Sequence, residues 1–307
     1  MDAYCTRPGL TQSLRRLASD QTGKHFLAMA SGDLLSRIAR QLQASDPYGE
    51  GTHLRAALAR MGLTAANDIA TVLEHQLWCV HREAAWACGT ADTGLLAKSF
   101  TIQGAEWVTQ TVGHPTILVA PMMLAMADAS WILTQAIPKL APGRQVILYG
   151  EEVETGQSGF PEIDSRIAGS GRAALQAILH SLSAGGVFCT YPDFVYDSHE
   201  ALSVPFFGAP RPMSASFASI ASRPGTMLLP VLTSRSRADG DGLLCRFFEP
   251  VFIADEGSTE DMEQRRFRRQ GVAQLVARML EGLISEQPHQ WRLLPTLSYD
   301  APQMVGA

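Results

Sequence analysis

Apolar and polar positions follow two different rhythms along this chain. In the first third the spacing is helical. Leu27, Leu34, Leu35, Ile38 and Leu42 predict a helix over Phe26–Gln43, and a short amphipathic turn follows at His53–Met61, closed by Gly62. Thr64–Cys88 repeats an apolar face at Ile69, Val72, Leu73, Leu77, Val80 and Ala84 and stops at Gly89. Residues 1–24 are polar and carry Pro8, Gly9 and Gly23, which predicts a loosely structured N-terminus.

Beyond residue 100 short apolar runs alternate with helical stretches. Thr116–Ala120 lies between His114-Pro115 and Pro121 and predicts a buried strand, with a helix over Met122–Ile137 ended by Pro138. Further strands are predicted at Gln145–Tyr149, Val187–Tyr191, Thr226–Leu232 and Leu243–Phe252. Helices are predicted at Ala173–Leu182 and Met262–Ser285. This order implies an α/β fold: a mixed, mainly parallel sheet flanked by helices, with an N-terminal helical layer. No repeat and no low-complexity linker divides the chain, so residues 25–300 read as one domain, with the helical layer at 25–90 and the sheet with its flanking helices at 100–300.

Composition narrows the function classes. The 307 residues carry 25 Lys+Arg against 30 Asp+Glu, so no general excess of positive charge is present to neutralise nucleic-acid phosphates. With 46% hydrophobic and 18% charged residues the chain is a folded globular protein rather than a disordered one. The five cysteines (Cys5, Cys79, Cys88, Cys189, Cys245) have neither disulfide-framework nor zinc spacing, which fits free thiols in a reducing compartment. The most apolar stretch, Thr116–Ala127, is too short to span a bilayer, and no secretory signal opens the sequence. The expectation is a cytoplasmic protein with no resident metal, for which a peripheral membrane contact stays open, as does the oligomeric state.

Several segments then carry a resemblance. Gly186-Val-Phe-Cys-Thr-Tyr-Pro-Asp193, Val204-Pro-Phe-Phe-Gly208 and Met227-Leu-Leu-Pro230 stand in the order and spacing of the late acyltransferases of lipid A biosynthesis, within the lysophospholipid-acyltransferase-like superfamily. Phe248-Glu-Pro250, the long following helix and Pro288-His-Gln-Trp-Arg292 fit the same pattern, and the resemblance covers roughly residues 50 to 295. It implies transfer of an acyl chain from a thioester, on coenzyme A or an acyl carrier protein, to a hydroxyl or amine. It also implies a His general base after the first strand, oriented by an acid five positions later. That spacing lets both side chains face the mouth of the sheet, where open α/β sheets bind ligands.

Here the chain departs from the family pattern. Ala120-Pro-Met-Met-Leu-Ala-Met-Ala-Asp128 places Asp128 on the family's carboxylate and Met123 on its His; a shift of one residue places Met122 there and Ala127 on the carboxylate. A thioether takes no proton at neutral pH. His114 precedes the strand and belongs to its opposite end. The family's basic residue after the second strand is replaced by Tyr149-Gly-Glu-Glu152, and its second acid near Asp193 by Val195.

The expected site therefore holds Asp128 and, as a replacement base, His199 of the loop after Asp193. Substrate contacts are expected from Met122, Met123, Tyr149, Glu151, Asp193, Phe206, Phe207, Gly208 and Arg211. Phe206 and Phe207 suit one wall of an acyl tunnel, and Arg211 suits a phosphate of a pantetheine arm. The acidic Glu151-Glu152 pair suits an amine-bearing acceptor. Two function classes follow: a divergent acyltransferase, with the acyl-carrier-protein or coenzyme A thioester as co-substrate, or a non-catalytic acyl- or carrier-protein-binding partner subunit. Other motifs are weaker. They are His75, Cys79 and His81 as metal ligands, Gly169-Ser-Gly171-Arg-Ala-Ala174 as a dinucleotide fingerprint, and Arg265-Arg-Phe-Arg-Arg269 as a docking surface for acidic partners.

Overall fold

The computed structural model describes residues 11–18, 21–63, 68–149, 166–168, 172–193, 201–236, 242–254 and 261–298. His199, Glu151 and Gly169–Gly171 lie outside these residues, and the side chain of Tyr149 is likewise not described.

Five helices open the chain: α1 (Gln12–Leu17), α2 (Gln21–Ala28), α3 (Gly32–Ser45), α4 (Glu50–Arg60) and α5 (Asp68–Ala87). Of the segment expected to be loose up to Lys24, the described residues are largely helical, in α1 and the start of α2. Their order has a local cause. Thr11 caps α1 by accepting from Leu14 N–H, the Ser13 hydroxyl donates to Glu50 at 2.8 Å, and Leu14 and Leu27 are fully buried. The single helix expected over Phe26–Gln43 is broken before Gly32, where Ser31 caps α3.

The α/β part continues with α6 (Thr93–Ser99), β1 (Phe100–Gln103), α7 (Ala105–Gln110), β2 (Thr116–Val119), α8 (Met126–Leu140), β3 (Val146–Tyr149), β4 (Arg166–Ala168), α9 (Arg172–Ser183) and β5 (Val187–Thr190). A hairpin of β6 (Ala201–Phe206) and β7 (Ala209–Ser214) follows, then α10 (Ala215–Ala221), β8 (Met227–Arg235), β9 (Leu243–Phe247), β10 (Val251–Phe252) and α11 (Met262–Glu286). Two 3₁₀ turns, Pro288–Gln290 and Leu294–Ser298, close the described chain.

The sheet runs β1-β9-β8-β2-β5-β3-β4, with β10 pairing the start of β8; β9 and β10 are antiparallel to β8 and every other pairing is parallel. The strand expected over Leu243–Phe252 divides in two because Pro250 cannot donate to a ladder. The central strands β2 and β5 are buried at every position, as a parallel sheet covered on both faces requires. Their register pairs Val119 with Thr190, while Val119 also faces Pro230 of β8. The chain connects β2 onward to the β3 side and returns to its other side with β8. The carboxyl end of β2 is thus the switch point at which open α/β sheets form their ligand crevice.

Helix α8 begins at Met126, four residues later than the apolar pattern predicts. Ala120–Ala125 instead leaves the strand as irregular chain, with Met123 N–H bonding back to Pro121 C=O, before Ala129 N–H joins Ala125 C=O to start the helix. The core is one cluster that joins the helical layer to the sheet, so α5 lies directly over this irregular segment.

Candidate functional site

Met122, Met123, Leu124 and Ala125 are at most 1% exposed. Backbone polar groups buried that deeply need partners, and side chains together with one backbone amide supply them from three directions. Met122 N–H donates to Asp193 Oδ2 at 2.9 Å and Met122 C=O accepts from Arg292 N–H at 2.9 Å. Met123 C=O accepts from His75 Nε2 at 2.6 Å, and Leu124 C=O from Arg292 Nη1 at 3.4 Å. The two methionines therefore sit where expected, at the end of β2, and both are packed into the core.

Asp128, in the first turn of α8, is fully buried. It does not face an imidazole. Arg82 grips it with both arms, Nε to Oδ2 at 2.8 Å and Nη2 to Oδ1 at 2.9 Å, and Trp86 Nε1 donates to Oδ1 at 2.7 Å. Three donors from one face of α5 hold this carboxylate. The residue expected to be catalytic thus stands in a buried ion pair that spends three of its acceptor sites.

His75 sets its imidazole against the Ala120–Ala125 segment, with Nδ1 buried and unpartnered among the described residues. Because its partner is a carbonyl, Nε2 carries the proton, and Cys79 Sγ lies 3.3 Å from the same nitrogen. Burial pushes His75 down to about 3, against the opposing pull of the Met123 carbonyl, so the ring is neutral; burial also pushes the Cys79 thiol up to about 12. His81 turns away and bonds Leu27 C=O at 2.6 Å. No group of three or more potential metal ligands occurs among the described residues.

Asp193 behaves differently. It is 2% exposed, three residues beyond the end of β5. Oδ2 accepts from Met122 N–H and from Trp291 Nε1 at 2.8 Å, whereas Oδ1 has no hydrogen-bond partner among the described residues. Burial holds its carboxyl above the usual range, opposed by the Met122 and Trp291 donors and by the charge of Arg211.

Arg211 (3% exposed) reaches Asp193 C=O and Thr296 Oγ1, each at 3.1 Å, and its guanidinium stacks over Phe206 and Trp291 at 5.3 and 5.4 Å. The residue expected to meet a phosphate thus clamps the Asp193 carbonyl to the second 3₁₀ turn. Phe206 is buried and Phe207 half-buried; with Trp291 they form one aromatic cluster, ring centres 4.9 to 5.8 Å apart. Phe207 and Gly208 make the β6–β7 turn at φ 45° and 77°. The Glu281 carboxylate accepts from Phe207 N–H, and Arg60 donates to the Phe206 and Phe207 carbonyls, which holds the non-glycine residue in this conformation.

The structure therefore gathers Met122, Met123, Asp193, Phe206, Phe207 and Arg211 around one strand end and sets Asp128 apart in its own ion pair. Sequence reasoning missed Trp291, Arg292, Arg82 and Trp86 as partners. The i, i+4 spacing of Arg82 and Trp86 was their one local sign.

The chain matches the family described as bacterial lipid A biosynthesis acyltransferase over residues 90–297, about two thirds of its length. The chain belongs to this family. No curated protein matches it. The matched region runs from the end of the helical layer through the sheet to the second 3₁₀ turn, so both strand ends, the hairpin and Trp291 fall within it while α5 lies before it. No helix among the described residues is long and apolar enough to cross a membrane.

Proposed function

We propose that this family member transfers an acyl group from a thioester, carried on coenzyme A or an acyl carrier protein, to a small amine or hydroxyl acceptor at the carboxyl ends of β2 and β5. The observation that carries the reading is the convergence of a buried carboxyl, a buried guanidinium and an aromatic cluster on one strand end, in Asp193, Arg211 and Phe206-Phe207-Trp291. Few polar groups set in an apolar wall are what an acyl thioester needs, since the chain is apolar and its reacting carbonyl is polar. Holding the two reactants together supplies much of the rate of such a transfer.

A second reading has its own support. Met123 occupies the family's imidazole position and is fully buried, and Asp128 is held by Arg82 and Trp86. Those features suit a partner subunit that binds an acyl group or its carrier without turnover. One experiment separates the two. The full chain is mixed with butyryl, octanoyl and palmitoyl thioesters, on coenzyme A and on a bacterial acyl carrier protein, with primary amines and alcohols. Mass spectrometry then follows thioester and product. Product above the protein-free blank supports transfer; binding without thioester loss supports the partner subunit.

A further inference from the structure

We infer that Asp193 stands in for the missing imidazole: its unpartnered Oδ1 takes the proton of the acceptor and passes it to the departing thiol. This rests on the acyl-transfer reading above.

Position is the first ground. Val119 of β2 pairs with Thr190 of β5, and three residues further along each strand Met122 N–H meets Asp193 Oδ2. Asp193 therefore lies against the residue preceding Met123, which occupies the family's imidazole position. Orientation is the second. Two donors, one from the backbone and one from Trp291, fix Oδ2 and leave the other oxygen for a ligand. A buried carboxyl oxygen without a partner is costly in a folded protein unless something uses it. The neighbours supply the third ground. His75 spends Nε2 on Met123 C=O and its unpartnered Nδ1 is a weak base, lowered by burial to about 3; Asp128 is held by three donors from Arg82 and Trp86, and the Cys79 thiol is buried and protonated.

The step balances with no further reactant. The acceptor heteroatom bonds to the thioester carbonyl carbon as its proton moves to Oδ1. The C–S bond then breaks, and the same proton leaves with sulfur as the free thiol, which restores the carboxylate. The groups facing Asp193 are Arg211 from β7, Tyr191 beside it on the β5 side, the Met122 amide and the Trp291 indole. Burial raises this carboxyl, which makes its ionised form a stronger base than an exposed aspartate. Activity then rises with pH along a limb above the ordinary carboxylate range.

The test uses the full chain with the donor and acceptor pair that the thioester panel selects. Asp193→Asn keeps an acceptor for Met122 and Trp291 and is expected to lower kcat by about 10²- to 10⁴-fold with little change in KM. Trp291→Phe removes one donor to the same carboxyl and is expected to move the limb to higher pH, which keeps the test open if Asp193→Asn fails to fold. Wild-type turnover with an Asp193→Asn kcat within threefold, or with a limb that Trp291→Phe leaves in place, overturns the role of Asp193 and leaves acyl transfer standing. Absence of turnover by the wild-type chain across the panel overturns both.

Discussion

Met122 and Asp193, 71 residues apart in sequence, meet through a single hydrogen bond of 2.9 Å that continues the β2–β5 pairing beyond the sheet. This bond places a buried carboxyl beside the residue that precedes Met123. Asp128 is bound by Arg82 and Trp86 of α5.

Breaking that second arrangement is expected to cost stability. Asp128→Ala leaves the half-buried Arg82 without its fork partner and the Trp86 N–H without an acceptor. A loss of about 3–5 kcal/mol is expected, as for one partner removed from a buried pair. Urea unfolding measures it. In a double-mutant cycle with Arg82→Met, the pair is expected to cost less than the sum of its single variants.

His75 makes folding sensitive to acid. Its folded pKa lies near 3, far below that of an unfolded histidine, about 6.5. The unfolded chain therefore binds the proton first. The contribution is fully present above about pH 6.5 and is lost as pH falls from there toward 3. His75→Gln is expected to flatten this part of the stability curve, measured by urea unfolding at stepped pH.

Asp193 acts with the opposite sign. Its folded pKa is raised, so its contribution is fully present below the unfolded carboxylate value of about 3.9 and is lost as pH rises through the folded value. Wild-type stability minus that of Asp193→Asn is expected to fall as pH rises through that window. A difference that does not change with pH contradicts the assignment of a raised carboxyl.

Thiol chemistry gives an independent check on packing. Cys79, Cys189 and Cys245 are buried, and burial holds all three thiols up, the first two at about 12, whereas Cys88 is half-buried. Alkylation of the folded protein followed by peptide mapping is expected to spare those three and to reach them only in denaturant. Rapid labelling of Cys79 in the native protein contradicts the sealed contact between α5 and Met123.

The central strands were legible because burial on both faces writes an uninterrupted apolar run, as in Thr116–Val119 and Val187–Thr190. The β6–β7 hairpin was not. Pro205, Pro210 and Pro212 argue against strand, and only a two-stranded ribbon, with one edge of each strand unpaired, accommodates them. The family pattern brought Met123, Asp193 and the Phe206-Phe207-Gly208 turn into view. It did not reveal what holds them. The Arg82–Asp128, Met122–Asp193 and Trp291–Asp193 bonds span 46, 71 and 98 residues. No local period records such contacts. The site expected from sequence centred on Asp128, whereas the buried carboxyl with an unpartnered oxygen at the strand ends is Asp193, and Asp128 is held by Arg82 and Trp86 of α5.

Acyl transfer by this scaffold, with Met123 rather than an imidazole at the end of β2, is open to direct test. Incubating the full chain with acyl thioesters and small amine or alcohol acceptors, and reading products by mass spectrometry, tests it most directly. Thioester loss above the blank is expected, with a product whose mass is that of the acceptor plus the acyl group less one hydrogen. A folded protein that binds the thioester and returns it unchanged across the panel contradicts acyl transfer.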